Sequence, residues 1–331
     1  MVLKHIAIIG LGSIGRRHLR ILKKLRPQLK VTLVRSGKGI YWEEENLANR
    51  TVKSIFDAIK ENVQAAIIAT PASMHLEQAR ELAQAGIHLL VEKPLSHKIE
   101  IIDQLITDVH KSEVIGMVGY VLRYDPAAMR FKEFFDNTGI IGKPLHARVE
   151  CGSYLPDWRP YQDYRTSVSA RSELGGGVLL ELSHELDYIR WFFGEMNSVC
   201  ASIQNSGTLD IDVEDSVDMV FNSKLGFNIS VHLDFNSRIN RRRCCVHCTE
   251  GDLIWDVISK KVVWRPANGP EEVINFDHDQ DKIYREQLKH FFDCIEQNQK
   301  PIVSIEDGIA ALQMVEAAKK SNKTAKKVIV V

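Results

Sequence analysis

A glycine-rich turn near the amino terminus constrains the fold of this chain more than any other feature of its sequence. Residues Gly10 to Gly15 read Gly-Leu-Gly-Ser-Ile-Gly. They follow an apolar run at residues 6–9 and precede a stretch at 14–25 whose apolar residues recur at helical spacing. The pattern G-x-G-x-x-G between a strand and a helix is typical of a βαβ unit that binds a dinucleotide. The turn therefore predicts a parallel sheet with a phosphate site at its edge.

Each residue of this turn has a predicted role. Gly10 permits the tight turn, Gly12 lets a pyrophosphate approach the backbone, and Gly15 lets the helix pack closely on the sheet. The N–H groups of Ser13 and Ile14 lie at the helix amino terminus, where the positive end of the helix dipole favours phosphate. We therefore predict that these five residues bind the cofactor.

The order of the other apolar segments predicts two domains. Short strands alternate with helices up to about residue 120, which indicates βαβ units and a doubly wound α/β Rossmann domain at 1–122. Successive strands then dominate, which favours an α+β domain at 123–300 with a large open, mostly antiparallel sheet. We expect residues 301–331 to form a helix and tail that pack back near the Rossmann domain.

The end of the second predicted strand bears on which dinucleotide binds. An NAD site usually carries an acid there, whereas this chain has Arg35 and Ser36. A guanidinium can pair with a 2′-phosphate and stack on adenine, so these residues favour NADP over NAD. The alternative is a solvated basic loop, because three acids follow at residues 43–45.

Two further groups of residues lie at strand ends, where ligands bind in open α/β sheets. Thr70, Pro71 and His75 follow one buried strand, and Glu92 and Lys93 follow the next. Lys93 is either a solvated residue at the end of the strand or a catalytic residue. Its position at the crevice favours a catalytic residue that transfers a proton. We predict that all five residues contact the cofactor.

Composition excludes several classes of partner. Lysine plus arginine number 43 and aspartate plus glutamate number 43, so no net charge attracts nucleic acid. No apolar run approaches the roughly 20 residues that span a bilayer, and the amino-terminal run is too short for a signal peptide. We expect a cytoplasmic protein with six reduced cysteines. The cluster Cys244, Cys245 and Cys248 alternates faces on a predicted strand, so we predict no metal site.

Several motifs together resemble the Gfo/Idh/MocA family, named after glucose–fructose oxidoreductase, inositol dehydrogenase and a rhizopine-catabolism protein. Besides the glycine turn they are ATPASMH at 69–75, EKP at 92–94, GYVLRYDPA at 119–127, GGGVLLELSHELD at 175–187 and PIVSIEDGIAALQMVEAA at 301–318. The resemblance covers essentially the whole chain. It implies that Lys93 is the catalytic lysine and that the peptide bond before Pro94 is cis. It also implies that the open sheet of the second domain forms a homodimer or homotetramer.

The resemblance implies a second catalytic element, from which this chain departs. Such enzymes carry an aspartate and, four residues on, a histidine. Aligned on the glycines at 175–177, Glu181 takes the aspartate position, but His184 follows after only three residues. We predict that His184 is the acid–base imidazole and that Glu181 orients it. Asp187, one helical turn further on, is predicted to bind substrate.

Four other residues are candidates for substrate binding. Tyr120 and Arg123 follow the last Rossmann strand, and their alternative is a packing pair between domains. Trp158 and Arg165 lie in a segment rich in aromatics and arginine, a mixture that suits sugar faces and phosphates. The alternative for that segment is an arm used in oligomerisation.

These expectations combine into an enzyme that moves a hydride between a nicotinamide cofactor and a carbon of a small sugar-like molecule. The resemblance points to a sugar, an amino sugar or a nucleotide sugar. Two alternatives stay open: a non-catalytic NAD(P)-binding regulator of the same fold, and a dehydrogenase of a non-sugar substrate such as a dihydrodiol.

Overall fold

Six segments of the first third of the chain pair into one parallel sheet in the computed structural model, which describes residues 2–37 and 39–330. They are β1 His5–Ile9, β2 Lys30–Val34, β3 Arg50–Val52, β4 Ala65–Ile68, β5 His88–Val91 and β6 Gly116–Val118. The strand order is β3-β2-β1-β4-β5-β6, the order of a doubly wound fold. Strands β1 and β4 are buried at every position, which explains why their sequences do not alternate.

The α-helices of the described residues include several that cover this sheet. They are α1 Ser13–Leu25, α2 Ile55–Lys60, α3 Ala72–Gln84, α4 Ile102–Lys111, α5 Pro126–Asp136, α6 Thr138–Ile141, α7 Val178–Glu181, α8 His184–Phe193, α9 Gln280–Gln297 and α10 Ile305–Thr324. Helix α1 presents one apolar face to the sheet, and α9 packs on α1.

A second sheet of nine strands follows in the chain. Its strands are β7 Pro144–Gly152, β8 Met196–Gln204, β9 Ser216–Ser223, β10 Asn228–Asp234, β11 Arg241–Cys248, β12 Gly251–Asp256, β13 Lys261–Pro266, β14 Glu272–Asn275 and β15 Val328–Ile329. Their order is β14-β13-β12-β11-β7-β10-β9-β8-β15. Neighbouring strands pair antiparallel, except β7 and β10, which are parallel. The predicted fold class, a Rossmann domain with a mostly antiparallel second sheet, is confirmed.

The structure divides into two compact units. The first runs to Val121 and includes Asp279–Ile309, so α9 clusters with the Rossmann sheet, whereas the sequence suggested that it belongs to the second domain. The second comprises Leu122–His278 and the chain from Ala310 onward. Among the helices that the structure describes, none is long and apolar enough to cross a membrane.

The glycine run at 175–177 leads into a broken helix, where the sequence suggested a continuous one. Helix α7 ends at Glu181 and α8 begins at His184. Leu182 between them has φ −100° and ψ 29°, outside the helical range. The Ser183 amide then bonds back to the Leu180 carbonyl, three residues earlier, at 3.4 Å. This tight turn separates the two helices.

A buried ion pair ties α8 to the second sheet. Glu185 is fully buried, and its carboxylate accepts hydrogen bonds from Nε and Nη2 of Arg242 at 2.7 and 3.1 Å. Burial works against the charged guanidinium, but the Glu185 carboxylate, together with Cys151 and Tyr188, raises the pKa of Arg242 above its usual value. The pair therefore compensates a charge that would be costly if it stood alone.

We expect Arg242→Met to destabilise the protein strongly, because it leaves the Glu185 carboxylate buried without its cation. Losing one partner of a buried pair costs about 3–5 kcal/mol. The measurement is the free energy of unfolding in urea. Arg130→Met is the matched control, because Arg130 is 40% exposed and pairs with Glu133 at the surface of α5. An exposed pair contributes about 1 kcal/mol or less, so equal losses in the two variants would contradict the prediction.

Candidate functional site

The glycine turn brings three backbone segments into contact. Gly10 has φ +88°, and a Cβ built there would lie 2.8 Å from the Ala69 carbonyl oxygen at the end of β4. A Cβ at Gly15 would lie 2.3 Å from the Gly10 carbonyl oxygen. Both glycines are therefore required by the fold. A Cβ at Gly12 would meet no described atom within 4 Å, so the protein leaves space in front of this residue.

The amino terminus of α1 is open to an anion. Gly12 is the N-cap and provides no side-chain cap, and the first turn has no acidic residue. The N–H groups of Ser13 and Ile14 therefore belong to a helix end that carries the positive side of the dipole. Together with the space at Gly12, this arrangement fits the pyrophosphate of a dinucleotide.

A cleft of about 660 Å³ extends from this turn along the carboxyl ends of the strands. Among the predicted residues, its lining includes Gly10, Gly12, Arg35, Ser36, Thr70 and Pro71. Trp42, Lys53 and Phe56 also line it, and the sequence did not single them out. Trp42 and Lys53 lie between β2 and α2, and Phe56 lies in the first turn of α2, where no motif or clear periodicity marks a site.

The guanidinium of Arg35 is engaged within the protein. Its Nη1 donates to the Glu45 carboxylate, and its Nη2 donates to the Ile40 carbonyl oxygen at 2.7 Å. The Arg35 side chain is 14% exposed and that of Glu45 is 15% exposed. Arg35 thus lies at the cleft, as predicted, but with a carboxylate partner.

His75 connects two strand ends. Its Nδ1 lies 2.9 Å from the Pro94 carbonyl oxygen and its Nε2 lies 2.8 Å from the Thr70 carbonyl oxygen. Burial lowers the pKa of His75, and the two carbonyls oppose this effect. The side chain is only 1% exposed. The burial favours a positioning role over the direct cofactor contact that we predicted.

Glu92 is held in a similar way beside Lys93. Its Oε1 lies 2.6 Å from Nε2 of His18, on α1, and Glu92 is 6% exposed. Lys93 itself is half-buried, and its peptide bond to Pro94 is cis. His18 therefore anchors Glu92, the residue before Lys93, and His75 anchors Pro94, the residue after it.

The predicted acid–base pair of the second unit lies on either side of the break between α7 and α8. Glu181 is the last residue of α7 and is partly exposed, and His184 is the first residue of α8 and is 9% exposed. Lys93 belongs to the first unit and His184 to the second.

Two of the predicted substrate residues bind each other. Arg123 donates to the Asp187 carboxylate through Nε at 3.0 Å and Nη2 at 2.6 Å. Their side chains are 6% and 2% exposed. This buried bidentate pair is a structural contact of the second unit. Tyr120, in the first unit, is fully buried.

The aromatic and arginine-rich segment forms short turns at the surface of the second unit. Trp158 donates through Nε1 to the Ser153 hydroxyl at 2.7 Å and packs edge-on against Phe235. Arg165 is 52% exposed and pairs with Asp163 at 2.9 Å. Trp158 is therefore partly fixed, whereas Arg165 lies in solvent.

The cysteine cluster lies on β11 and alternates faces as predicted. Cys244 and Cys248 are buried on the core side of the sheet. Cys245 is half-buried and lines a hollow on the opposite side. These thiols therefore do not converge on one point.

Family models match both parts of the chain. The model described as "Oxidoreductase family, NAD-binding Rossmann fold" matches residues 4–120, and the Gfo/Idh/MocA C-terminal domain matches residues 132–254. The chain belongs to the Gfo/Idh/MocA family. It is therefore an oxidoreductase of an NAD-binding family, as the sequence motifs suggested.

Characterised relatives in this family match most of the chain. It is similar to 1,5-anhydro-D-fructose reductase of Ensifer adhaerens, with 29% identity over 83% of this chain and 82% of that protein. It is also similar to myo-inositol 2-dehydrogenase of Thermotoga maritima, with 28% identity over 96% of this chain and 95% of that protein.

Solved structures share the fold of the whole chain. Levoglucosan dehydrogenase in complex with NADH and levoglucosan superposes with a TM-score of 0.89 at 20% identity, covering 99% of both chains. The WlbA dehydrogenase of Bordetella pertussis, in complex with NADH and UDP-GlcNAcA, gives a TM-score of 0.85 at 18% identity, covering 100% of this chain and 98% of that one. At these identities the similarity establishes the fold alone.

We expect Gly12→Ala to weaken dinucleotide binding without destabilising the fold. The added methyl group meets no described atom of the protein but occupies the space in front of the α1 amino terminus. NADH titration by fluorescence should show a loss of at least about tenfold, the factor equivalent to one lost contact of 1.4 kcal/mol. Thermal unfolding should be unchanged, whereas Gly15→Ala should lower the unfolding temperature. If Gly12→Ala bound NADH as tightly as the wild type does, the prediction of a phosphate site at this turn would be wrong.

Proposed function

We propose that this chain moves a hydride between a nicotinamide cofactor and a carbinol or keto carbon of a sugar, an amino sugar or a nucleotide sugar. The observation that carries the proposal is the position of Lys93. It follows β5, and His75 links the residue after it to Thr70, which lines the cofactor cleft. The substrate class is supported by the relatives, which are named for anhydrofructose, inositol and levoglucosan.

Side chains of this protein would transfer the proton to or from the substrate oxygen. A bound nicotinamide supplies the hydride donor or acceptor. Lys93 and His184 hold or remove the proton on that oxygen, and Glu181 orients the imidazole. The anchors on either side of Lys93, at Glu92 and Pro94, limit the movement of its backbone, which favours a fixed approach to the reacting oxygen.

Further contacts with the substrate are proposed for other residues that the sequence singled out. Trp158 offers an aromatic face that suits a sugar ring, and Arg165 carries a charge that suits a phosphate. Tyr120, Arg123 and Asp187 stay candidates, but all three are buried, so they would contact a substrate only if the surrounding side chains moved.

The cofactor form is proposed to be NADP or NAD. Arg35 and Ser36 at the end of β2 support a 2′-phosphate, and both line the cleft. The preference for NADP that these residues suggested stays a prediction, because Glu45 engages the same guanidinium.

We expect turnover of at least one sugar-like substrate, and its loss in Lys93→Met. The purified protein should be screened with NAD⁺ and NADP⁺ against free sugars, amino sugars, nucleotide sugars and a dihydrodiol, by absorbance of the reduced nicotinamide. Lys93→Met should lower turnover by at least about 100-fold, the usual effect of losing a proton-transfer group. Its cofactor affinity should stay within about twofold of wild type, because methionine replaces most of the aliphatic part of the lysine side chain and removes only the charged amino group.

Lys98→Met is the matched control, since Lys98 is an exposed lysine in the same segment. It should retain wild-type turnover. Unchanged turnover in Lys93→Met would remove Lys93 from the mechanism. A protein that binds NAD(P)H but turns over no member of the panel would favour the non-catalytic regulator, and activity on the dihydrodiol alone would replace the substrate class.

We also propose that the open face of the second sheet pairs with a second copy of this chain. It contains a hollow of about 780 Å³ whose lining includes Arg148, Glu150, Asp218 and Arg243. Both signs of charge therefore occur on one surface, as a self-complementary interface requires. Val220 adds an apolar side chain that is 45% exposed in the same hollow.

We expect the wild-type protein to have a solution mass that is a multiple of its 37.6 kDa chain. Val220→Arg should reduce that mass, because it places a charge in the centre of the paired faces. Leu225→Arg is the control, since Leu225 is an exposed apolar residue in the turn between β9 and β10. Light scattering measures the mass, and a monomeric wild type would end this proposal.

A further inference from the structure

We propose that Glu45 is a selectivity residue, which competes with the 2′-phosphate of NADP for the guanidinium of Arg35. The inference rests on the proposed function, because it assumes that the cleft binds a nicotinamide dinucleotide. It assigns to Glu45 a role that the sequence pattern at the end of β2 does not show.

Both terminal nitrogens of Arg35 donate hydrogen bonds to other groups of the protein. Nη1 donates to the Glu45 carboxylate and Nη2 donates to the Ile40 carbonyl oxygen. Arg35 and Ile40 both line the cleft, and so does Ser36, the next residue in the chain. A 2′-phosphate that reached Arg35 would therefore have to displace the Glu45 carboxylate or share the guanidinium with it.

Glu45 is fixed in this position by its own segment. It lies in the short 3₁₀ helix Glu43–Leu47, and its Oε1 also accepts a hydrogen bond from the Trp42 amide at 3.1 Å. The amide of Glu45 bonds back to the Trp42 carbonyl oxygen at 2.9 Å. The carboxylate is thus held by its own backbone as well as by Arg35.

Two arginines of α1 anchor the same segment from the other side. The guanidinium of Arg16 stacks 3.7 Å above the ring of Trp42. Arg16 and Arg20 both pair with Glu44, at 3.7 and 2.6 Å. These contacts keep the 3₁₀ helix in place when Arg35 is altered, because none of them involves Arg35. The ion pair between Glu45 and Arg35 is therefore a fixed part of the cleft wall.

Charge explains why this pair would discriminate between the cofactors. The 2′-phosphate is anionic, so it gains from a free guanidinium and loses from a carboxylate beside it. The 2′-hydroxyl of NAD carries no charge and is little affected by either. Lys53 also lines the cleft and attracts a phosphate whether or not Glu45 is present. Glu45 should therefore weaken NADPH binding selectively.

The test compares NADPH and NADH affinities of wild type and Glu45→Gln by fluorescence titration. Glutamine keeps an oxygen for the Trp42 amide but removes the charge that competes for Arg35. We expect the dissociation constant for NADPH to fall at least about fivefold and that for NADH to change less than about twofold, since only the phosphate senses the lost charge. Thermal unfolding should confirm that the variant is folded.

Glu43→Gln is the matched control, because Glu43 is exposed at the start of the same 3₁₀ helix. It removes one negative charge but keeps the pairs of Glu44 with Arg16 and Arg20 and the pair of Glu45 with Arg35, so the ratio of NADPH to NADH affinity should stay near the wild-type value. Arg35→Ala should chiefly weaken NADPH. Adding Glu45→Gln to Arg35→Ala should change the ratio less than Glu45→Gln does alone, because only the direct repulsion between Glu45 and the phosphate is then left to remove.

Three results would overturn the inference. An equal shift of the affinity ratio in Glu43→Gln and Glu45→Gln would mean that only the general charge near the cleft matters. Equal changes in the dissociation constants for NADPH and NADH would mean that Glu45 supports the shape of the cleft. Unchanged dissociation constants in Glu45→Gln would mean that Glu45 has no role in selectivity. If the wild type bound neither nucleotide, the proposed function would fail together with this inference, which separates that failure from the other three.

Discussion

The close approach of Gly10, Gly15 and Ala69 is the constraint on which the first unit depends. Added Cβ atoms at the two glycines would come within 2.8 and 2.3 Å of carbonyl oxygens, so the backbones of the turn, α1 and the end of β4 are in direct contact. This contact sets the amino terminus of α1 at the carboxyl edge of the sheet. The loops after β2, β4 and β5 emerge at the same edge, because parallel strands end together.

Two buried histidines connect the polar groups at this edge and limit the movement of its loops. His75 lies between the carbonyls of Thr70 and Pro94, and Glu92 lies against His18. Leaving any of these groups without a partner would cost more than the hydrogen bond contributes, so each pairing is strongly favoured once the chain folds. The short loops that carry the candidate catalytic lysine are therefore held by side chains that need not touch a ligand themselves.

Much of this fold follows from sequence periodicity, and the exceptions have physical reasons. The largely apolar runs at 30–34 and 88–91 predict strands with the bounds that β2 and β5 have, since such runs are distinctive of buried parallel strands. Strands β3, β14 and β15 were missed, because Arg50–Val52, Glu272–Asn275 and Val328–Ile329 are short and largely exposed. The partners of Arg35 and Arg123 were also missed, because pairs between residues distant in the chain depend on tertiary structure that periodicity does not encode.

The one-residue shift between Glu181 and His184 shows how a local break changes what spacing implies. In a continuous helix each residue turns the chain by about 100°, so deleting one residue between an acid and an imidazole would rotate them apart by that angle. Here the helix is interrupted at Leu182 and Ser183, with Leu182 outside helical geometry. The angle between the two side chains is then set by the turn and no longer by helical spacing. The shortened spacing is therefore not an argument against His184, because side chains on either side of a break do not have to keep the spacing of a continuous helix.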